Sequence, residues 1–157
     1  MTQEQKELLL KDISARLPYG VKCAEVYPDG DKFENEWDII RVGKYVEDGI
    51  HVSNCKTTYG YCSQIQNIKP YLLPMSSMTE EQANELFNLF GISLLDSVGR
   101  NYIKINECTG ITFFLNKGFD VETHLDKLMN WLNTNHFDYK GLIPMGLAID
   151  CSNLNIY

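Results

Sequence analysis

The chain has 157 residues, of which 44% are hydrophobic and 22% are charged. This composition is typical of an ordinary folded domain and excludes a collagen-like or intrinsically disordered chain. The 21 acidic residues outnumber the 14 basic ones, which gives a net charge of −7. No three basic residues lie close together, so the sequence argues against nucleic-acid binding, because that binding depends on clustered Lys and Arg.

The sequence carries no signal for export or for membrane insertion. Its longest apolar stretch, residues 141–149, is interrupted by Pro144 and is shorter than the roughly 20 residues of a spanning helix. The first residues lack the basic and apolar regions of a signal peptide. We therefore expect a cytoplasmic protein without membrane contact.

We also expect the five cysteines of the chain to be reduced, since they form no Cys-x-x-Cys motif.

An N-terminal helix is predicted over residues 3–16. Thr2 and Gln5 form a capping box, apolar residues follow at helical spacing, and Pro18 ends the pattern.

A small antiparallel sheet is predicted over residues 20–70. Four or five short strand-forming segments follow one another closely there, which favours a sheet that curls toward a barrel. Asp48-Gly49 separates two strand-forming segments and predicts a tight hairpin turn. A further strand is predicted over 61–68, with its end fixed by Pro70.

Two helices with a short hairpin between them are predicted in the second half of the chain. Thr79 and Gln82 form another capping box, ahead of a helix that ends near Gly91. The hairpin is predicted to consist of strands at 102–105 and 111–115, joined by a turn.

A third helix is predicted from Asp120 to about Thr134. The predicted buried stripe of this helix consists of Val121, Leu125, Leu128 and Leu132.

Strands and helices alternate without a repeated βαβ unit, which indicates the α+β class. The length fits a single domain over 1–157, with a β-rich part at 20–70 and a mixed helix and strand part at 71–157.

Three stretches carry a family resemblance. They are Ala15-Arg-Leu-Pro-Tyr-Gly-Val-Lys22, residues 68–81 with Pro-Tyr-Leu-Leu-Pro-Met in their centre, and residues 131–148 from Trp131 to Ala148. Together they resemble a family of short uncharacterised proteins encoded in gut Bacteroidales genomes, prophages and mobile elements. The resemblance implies a bacterial or phage cytoplasmic setting. It carries over no activity, ligand or catalytic residue.

One local cluster has the residue types of a zinc or redox site, namely His51, Cys55 and Cys62. If 50–55 is a strand, His51 and Cys55 stand about 13 Å apart, at roughly 3.3 Å per residue. That separation is too large for two ligands of one zinc ion. We therefore predict no metal at this cluster.

An acidic cluster lies close behind the first predicted strand and suggests a calcium site. The EF-hand pattern fails, because Phe33 and Glu34 occupy positions that require an Asp or Asn and a Gly. We interpret the cluster as a solvated hairpin tip, and we predict neither a metal nor a cofactor for the chain. The acidic residues are Asp29, Asp31, Glu34, Glu36 and Asp38.

The residue types of nucleophilic catalysis are present, since five cysteines accompany His51, His124 and His136. No Gly-x-Ser-x-Gly, Ser-x-x-Lys or His-Glu-x-x-His motif occurs, and neither does a nucleotide-binding glycine motif. Catalytic residues therefore stay unassigned.

Two aromatic and apolar neighbourhoods, at 71–75 and 131–148, are candidates for an interaction surface, because Trp, Tyr and Met are favoured at interface centres. For Trp131 we favour a place in the core, and for His136 a structural role. We expect an accessory protein that binds another protein, and the alternative is a small enzyme with Cys/His or carboxylate chemistry. The candidate surface residues are Tyr71, Leu72, Leu73, Met75, Trp131, His136, Phe137 and Tyr139.

Overall fold

The computed structural model describes residues 1–26, 32–42, 49–54, 60–89, 102–106, 110–114 and 121–157. Helices and strands both occur in these residues, which confirms the α+β class. The helices are α1 (Gln3–Arg16), α2 (Glu80–Leu89) and α3 (Val121–Thr134). The strands are β1 (Lys22–Val26), β2 (Lys32–Val42), β3 (Gly49–Asn54), β4 (Gly60–Gln64), β5 (Ile68–Leu72), β6 (Tyr102–Asn106), β7 (Gly110–Phe114) and β8 (Ile149–Asp150).

The chain forms two compact units. Unit 1 comprises Met1–Leu72 and Leu142–Tyr157, and unit 2 comprises Leu73–Gly141. The single domain expected over 1–157 stays a prediction.

Helix α1 of unit 1 begins and ends as predicted. The Gln5 N–H donates to Thr2 Oγ1 at 3.2 Å and the Thr2 N–H donates to Gln5 Oε1 at 2.9 Å, so the capping box is confirmed. After α1 a 3-10 turn spans Leu17–Tyr19, with Pro18 in its first turn. Gly20 follows with φ 74, a left-handed conformation that glycine adopts without steric cost.

The main sheet of unit 1 has the strand order β4-β3-β2-β1-β5-β8, in which only β5 and β8 are parallel. This order has two ends, so the described strands form an open sheet and not a closed barrel. The sheet is nevertheless strongly curled. In a flat sheet β4 and β5 would lie roughly 19 Å apart, at about 4.8 Å per strand. They are joined by the 3-10 turn Ile65–Asn67 alone, which advances only about 6 Å.

The predicted tight turn at Asp48-Gly49 is wrong. Val42 of β2 pairs with Ile50 of β3, so the two residues are not the centre of a two-residue hairpin. Gly49 is instead the first residue of β3, where it pairs with Gln64 of β4. The register thus follows the pairing of β3 with both neighbouring strands and not the local turn preference. Residues 43–48 lie outside the described part of the chain.

The strand predicted over 61–68 is divided between β4 and β5, and Pro70 does not end it. Pro70 lies within β5, opposite Cys23 of β1. Proline has no N–H to donate, but the pairing of β5 with β8 starts only at Tyr71, one residue later. The sheet therefore accommodates this proline inside a strand.

Helix α1 and the curled sheet enclose the core of unit 1. From α1 the buried residues are Leu9 and Ile13, and the segment after Gly141 returns to the same core. The remaining core residues are Val21, Cys23, Ile39, Ile65, Ile68, Leu72, Leu142, Leu147 and Ala148.

In unit 2, helix α2 starts at the second predicted capping box. The Gln82 N–H donates to Thr79 Oγ1 at 3.2 Å and the Thr79 N–H donates to Gln82 Oε1 at 3.0 Å. Helices α2 and α3 are in contact. Strands β6 and β7 pair antiparallel, with Tyr102 opposite Phe114. The buried cluster of unit 2 consists of Met75, Leu86, Leu128, Trp131, Leu132 and Phe137.

The buried stripe predicted for α3 is correct at Leu128 and Leu132 and wrong at Leu125, which is 45% exposed. From α3 the cluster contains Leu128, Trp131 and Leu132, which all lie in the C-terminal half of the helix. Asp120 and Gly91, predicted to cap the helices, lie outside the described residues, as does the side chain of Val121.

Candidate functional site

A fully buried ion pair lies on α1, between Asp12 and Arg16. The Arg16 Nε donates to Asp12 Oδ2 at 2.7 Å, and Nη2 donates to Oδ1 at 3.2 Å. Residues four apart on a helix are neighbours, and a buried charge is tolerated only when it is paired. This pair is not predictable from its spacing, because the same spacing is common on exposed helix faces. Its bidentate geometry indicates a structural role.

A second buried carboxylate belongs to Glu25 of β1, whose Oε1 accepts a hydrogen bond from the hydroxyl of Ser63 on β4. The curl of the sheet brings these two strands together. No sequence motif marks either residue, and the sequence analysis did not single them out.

The two thiols that the structure describes, Cys23 and Cys151, are free and buried. Burial raises the pKa of the Cys23 thiol far above its ordinary range, and the nearby carboxylates of Glu25 and Asp38 raise it further. Burial also raises the pKa of the Cys151 thiol to about 11, with a smaller effect from Asp150. Since the thiolate is the reactive form, neither cysteine suits a nucleophile at neutral pH.

The Tyr157 hydroxyl connects β1 and β5. It accepts a hydrogen bond from the backbone N–H of Lys22 at 3.1 Å and donates one to the backbone carbonyl of Tyr71 at 3.0 Å. Lys22 and Tyr71 would be the next pair of the β1–β5 register, so the hydroxyl bridges the two strands where their ladder ends. Burial raises the pKa of Tyr157.

The structure buries six of the eight residues of the candidate surface, and leaves Leu73 and Tyr139 half-buried. Trp131 stacks on Phe137, with ring centroids 5.7 Å apart, and only 7% of Trp131 is exposed. This position agrees with the core interpretation of Trp131. The interaction role of the set stays a prediction. Five of its members share the cluster of unit 2, namely Leu73, Met75, Trp131, Phe137 and Tyr139.

His136, two residues after the end of α3, has a left-handed conformation with φ 56. The Phe137 N–H donates to the Leu132 carbonyl at 3.0 Å, and the His136 N–H donates to the Asn133 carbonyl at 3.2 Å. These two bonds form a Schellman motif, in which His136 occupies the position that glycine usually takes. The His136 carbonyl then accepts the Leu73 N–H at 2.9 Å, which ties the helix end to the segment after β5.

Two of the three predicted metal candidates lie on neighbouring strands. His51 of β3 and Cys62 of β4 are paired in the sheet register, whereas Cys55 lies outside the described residues. In the described part of the chain no three His, Cys, Asp or Glu residues are placed to hold one ion. The acidic cluster is not confined to a hairpin tip, because its members Glu34, Glu36 and Asp38 belong to β2. Asp29 and Asp31 lie outside the described residues.

Among the side chains of α2 and α3 that the structure describes, Leu89 of α2 is 42% exposed and Leu125 of α3 is 45% exposed. Leu89 follows the buried Leu86 by one helical turn, and Leu125 precedes the buried Leu128 by one turn. Each of the two leucines is therefore one helical turn from a buried member of the cluster, and we call the two residues the margin patch. Leu125 was predicted to be in the core and Leu89 was not singled out.

None of the helices in the described ranges combines the length and hydrophobicity needed to cross a bilayer. In comparisons with known proteins, no protein-family model, no curated protein and no solved structure matches the chain.

Proposed function

We propose that the chain is a cytoplasmic accessory protein of a bacterial or phage genome and that it acts by binding another protein. The observation that carries this proposal is the exposure of Leu125. Its position on α3 puts it on the same side as Leu128 and Leu132, which are buried. Leu125 therefore lies on the buried side of the helix but is almost half exposed, so part of its apolar surface is in contact with water.

The margin patch gives this exposure a second member, Leu89 of α2, which lies one helical turn after the buried Leu86. A single exposed leucine is ordinary, whereas apolar side chains grouped beside a packed core are typical of protein contact sites. The proposed contact therefore uses Leu89 and Leu125.

A small enzyme is the alternative function. Three buried groups of the kind used in acid–base or nucleophilic chemistry are engaged in the fold. Asp12 is paired with Arg16, Glu25 accepts from Ser63, and the Cys23 thiol is held in its neutral form. These contacts favour the binding function.

The test is affinity capture of the tagged chain from a Bacteroidales host, with the parent compared to Leu89→Ser and Leu125→Ser. The matched control is Met145→Ser, which removes an equally exposed apolar side chain, 49% exposed, from unit 1. We expect a captured protein with the parent and the control, and its loss with both leucine variants. Equal capture by all four proteins would contradict the proposal.

A further inference from the structure

Residues 152–157 form a strap of unit 1 that is held at both ends and exposed in between. At its start the Cys151 N–H donates to the Leu72 carbonyl at 3.0 Å, so the strap begins at the edge of the sheet. Near its other end Ile156 is buried. Residues 152–155 between these points are all exposed and belong to no helix or strand. A segment that buries so few side chains opens at a lower free energy than the core.

The far end of the strap is held by hydrogen bonds to β1 and β5. The Tyr157 hydroxyl accepts a hydrogen bond from the Lys22 N–H and donates one to the Tyr71 carbonyl. The Lys22 Nζ donates to the Ile156 carbonyl at 2.7 Å. Lys22 thus holds the strap through both its backbone and its side chain. Tyr157 is nevertheless 47% exposed, so this end of the strap lies at the surface, where water competes for the same bonds.

The Cys151 thiol lies at the start of the strap and is less deeply buried than the Cys23 thiol. Both residues are almost inaccessible to solvent, and Cys23 belongs to the core of unit 1. Burial raises the pKa of Cys151 less than that of Cys23, because fewer atoms surround it. The Tyr157 hydroxyl lies close enough to the Cys151 thiol for the two groups to interact electrostatically. The held end of the strap therefore lies beside a thiol under a thin cover.

We propose that residues 152–157 open as one unit while the rest of unit 1 stays folded, and that this opening controls the access of electrophiles to the Cys151 thiol. The Tyr157 hydroxyl is the latch that keeps the strap closed. In the closed state the thiol is covered and protonated. In the open state the thiol is solvated and its pKa returns toward the ordinary value of about 8.5, so the reactive thiolate forms more readily. This inference concerns unit 1 and is independent of the margin patch.

Alkylation of the full-length chain by iodoacetamide tests the inference, at urea concentrations below the unfolding transition. The thiolate sulfur bonds to the acetamide carbon, iodide leaves, and the thiol proton passes to the buffer. Mass spectrometry follows the peptide of each cysteine separately. We expect the rate at Cys151 to be nearly independent of urea, because local opening exposes little surface, and the rate at Cys23 to rise steeply. A rate at Cys151 that rises as steeply as that at Cys23 would overturn the proposal.

Hydroxyl variants test the latch. Tyr157→Phe keeps the ring and should raise the alkylation rate of Cys151 about two- to tenfold, which corresponds to the net contribution of an ordinary hydrogen bond. The matched control is Tyr139→Phe, which removes a hydroxyl that donates to Asn133 at 3.0 Å in unit 2, and it should leave the rate unchanged. Thermal melts verify that both variants are folded. An unchanged rate in Tyr157→Phe, or an equal increase in both variants, would contradict the proposal.

Discussion

Ser63 donates a hydrogen bond to the carboxylate of Glu25, although their strands, β4 and β1, are three positions apart in the sheet. In a flat sheet the two strands would be about 14 Å apart. The contact is therefore a direct consequence of the curl, and it fastens the two sides of the curled sheet across its interior.

This contact predicts that Ser63→Ala destabilises unit 1. The variant deprives a buried carboxylate of a donor, and hydrogen bonds to charged groups contribute about 1.5–3 kcal/mol. Urea denaturation should show a lower midpoint for Ser63→Ala, and the exposed Ser152→Ala is the matched control. Equal midpoints for the two variants would mean that Glu25 does not depend on Ser63.

The bridging hydroxyl of Tyr157 leads to a second prediction. Tyr157→Phe removes the acceptor of the Lys22 N–H and the donor to the Tyr71 carbonyl. We expect a loss of about 0.5–1.5 kcal/mol in the free energy of unfolding, the net contribution of an ordinary hydrogen bond. Hydrogen exchange of the Lys22 amide should become faster at the same time. Unchanged exchange at this amide would contradict the bridge.

The left-handed conformation of His136 can be tested separately from its packing. His136→Ala and His136→Gly both remove the imidazole, but only alanine keeps a Cβ at φ 56. The glycine variant should be more stable than the alanine variant by roughly 1 kcal/mol. Chemical denaturation of the pair measures this difference directly. An alanine variant at least as stable as the glycine variant would show that the helix end does not need this conformation.

The buried thiols make stability fall at alkaline pH. Their pKa is raised in the folded state, so the unfolded chain loses thiol protons first, from about pH 8.5. The stabilisation is fully present below that pH and is lost as the pH rises toward the folded pKa, which is about 11 for Cys151. Unfolding free energies measured between pH 7 and 10 should decline in the parent and decline less in Cys23→Ala/Cys151→Ala. Parallel pH profiles would show that these thiols are not responsible.

Local chemistry was predictable from the sequence wherever a few neighbouring residues decide the structure. Thr2 with Gln5 and Thr79 with Gln82 form their capping boxes because each motif satisfies backbone groups within a single turn. The α+β class follows from the same kind of local periodicity. Whether the sheet closes into a barrel could not be predicted in this way, because closure depends on pairing between strands that are far apart in the sequence.

The predictions are wrong where the local structure depends on residues that are far away in the sequence. Pro70 looks like a strand terminator, but its missing N–H matters only if a neighbouring strand requires it, and β8 begins to pair one residue later. Asp12 and Arg16 have the spacing of a surface pair and become a core feature because α1 packs against the sheet. Leu125 fits the helical periodicity, yet helical periodicity does not reveal how far along α3 the cluster extends.

Stability measurements on α3 distinguish its two classes of leucine. Leu128→Ala leaves a cavity in the cluster and should cost about 2–5 kcal/mol, and Trp131→Ala about 3–5 kcal/mol. Leu125→Ala, on the same helix face, should change stability by less than about 0.5 kcal/mol. Thermal melts of the three variants measure these differences. A large loss in Leu125→Ala would place that side chain in the core and remove the basis of the margin patch.

The most direct measurement is carbene footprinting of Leu125 in the isolated chain and in the complex captured from the host, with Met145 as the internal reference. The proposed function predicts that Leu125 is labelled in the isolated chain and protected in the complex, while labelling of Met145 stays the same in both. Labelling of Leu125 that is unchanged by the partner, or protection of Leu125 already in the isolated chain, would contradict binding through the margin patch.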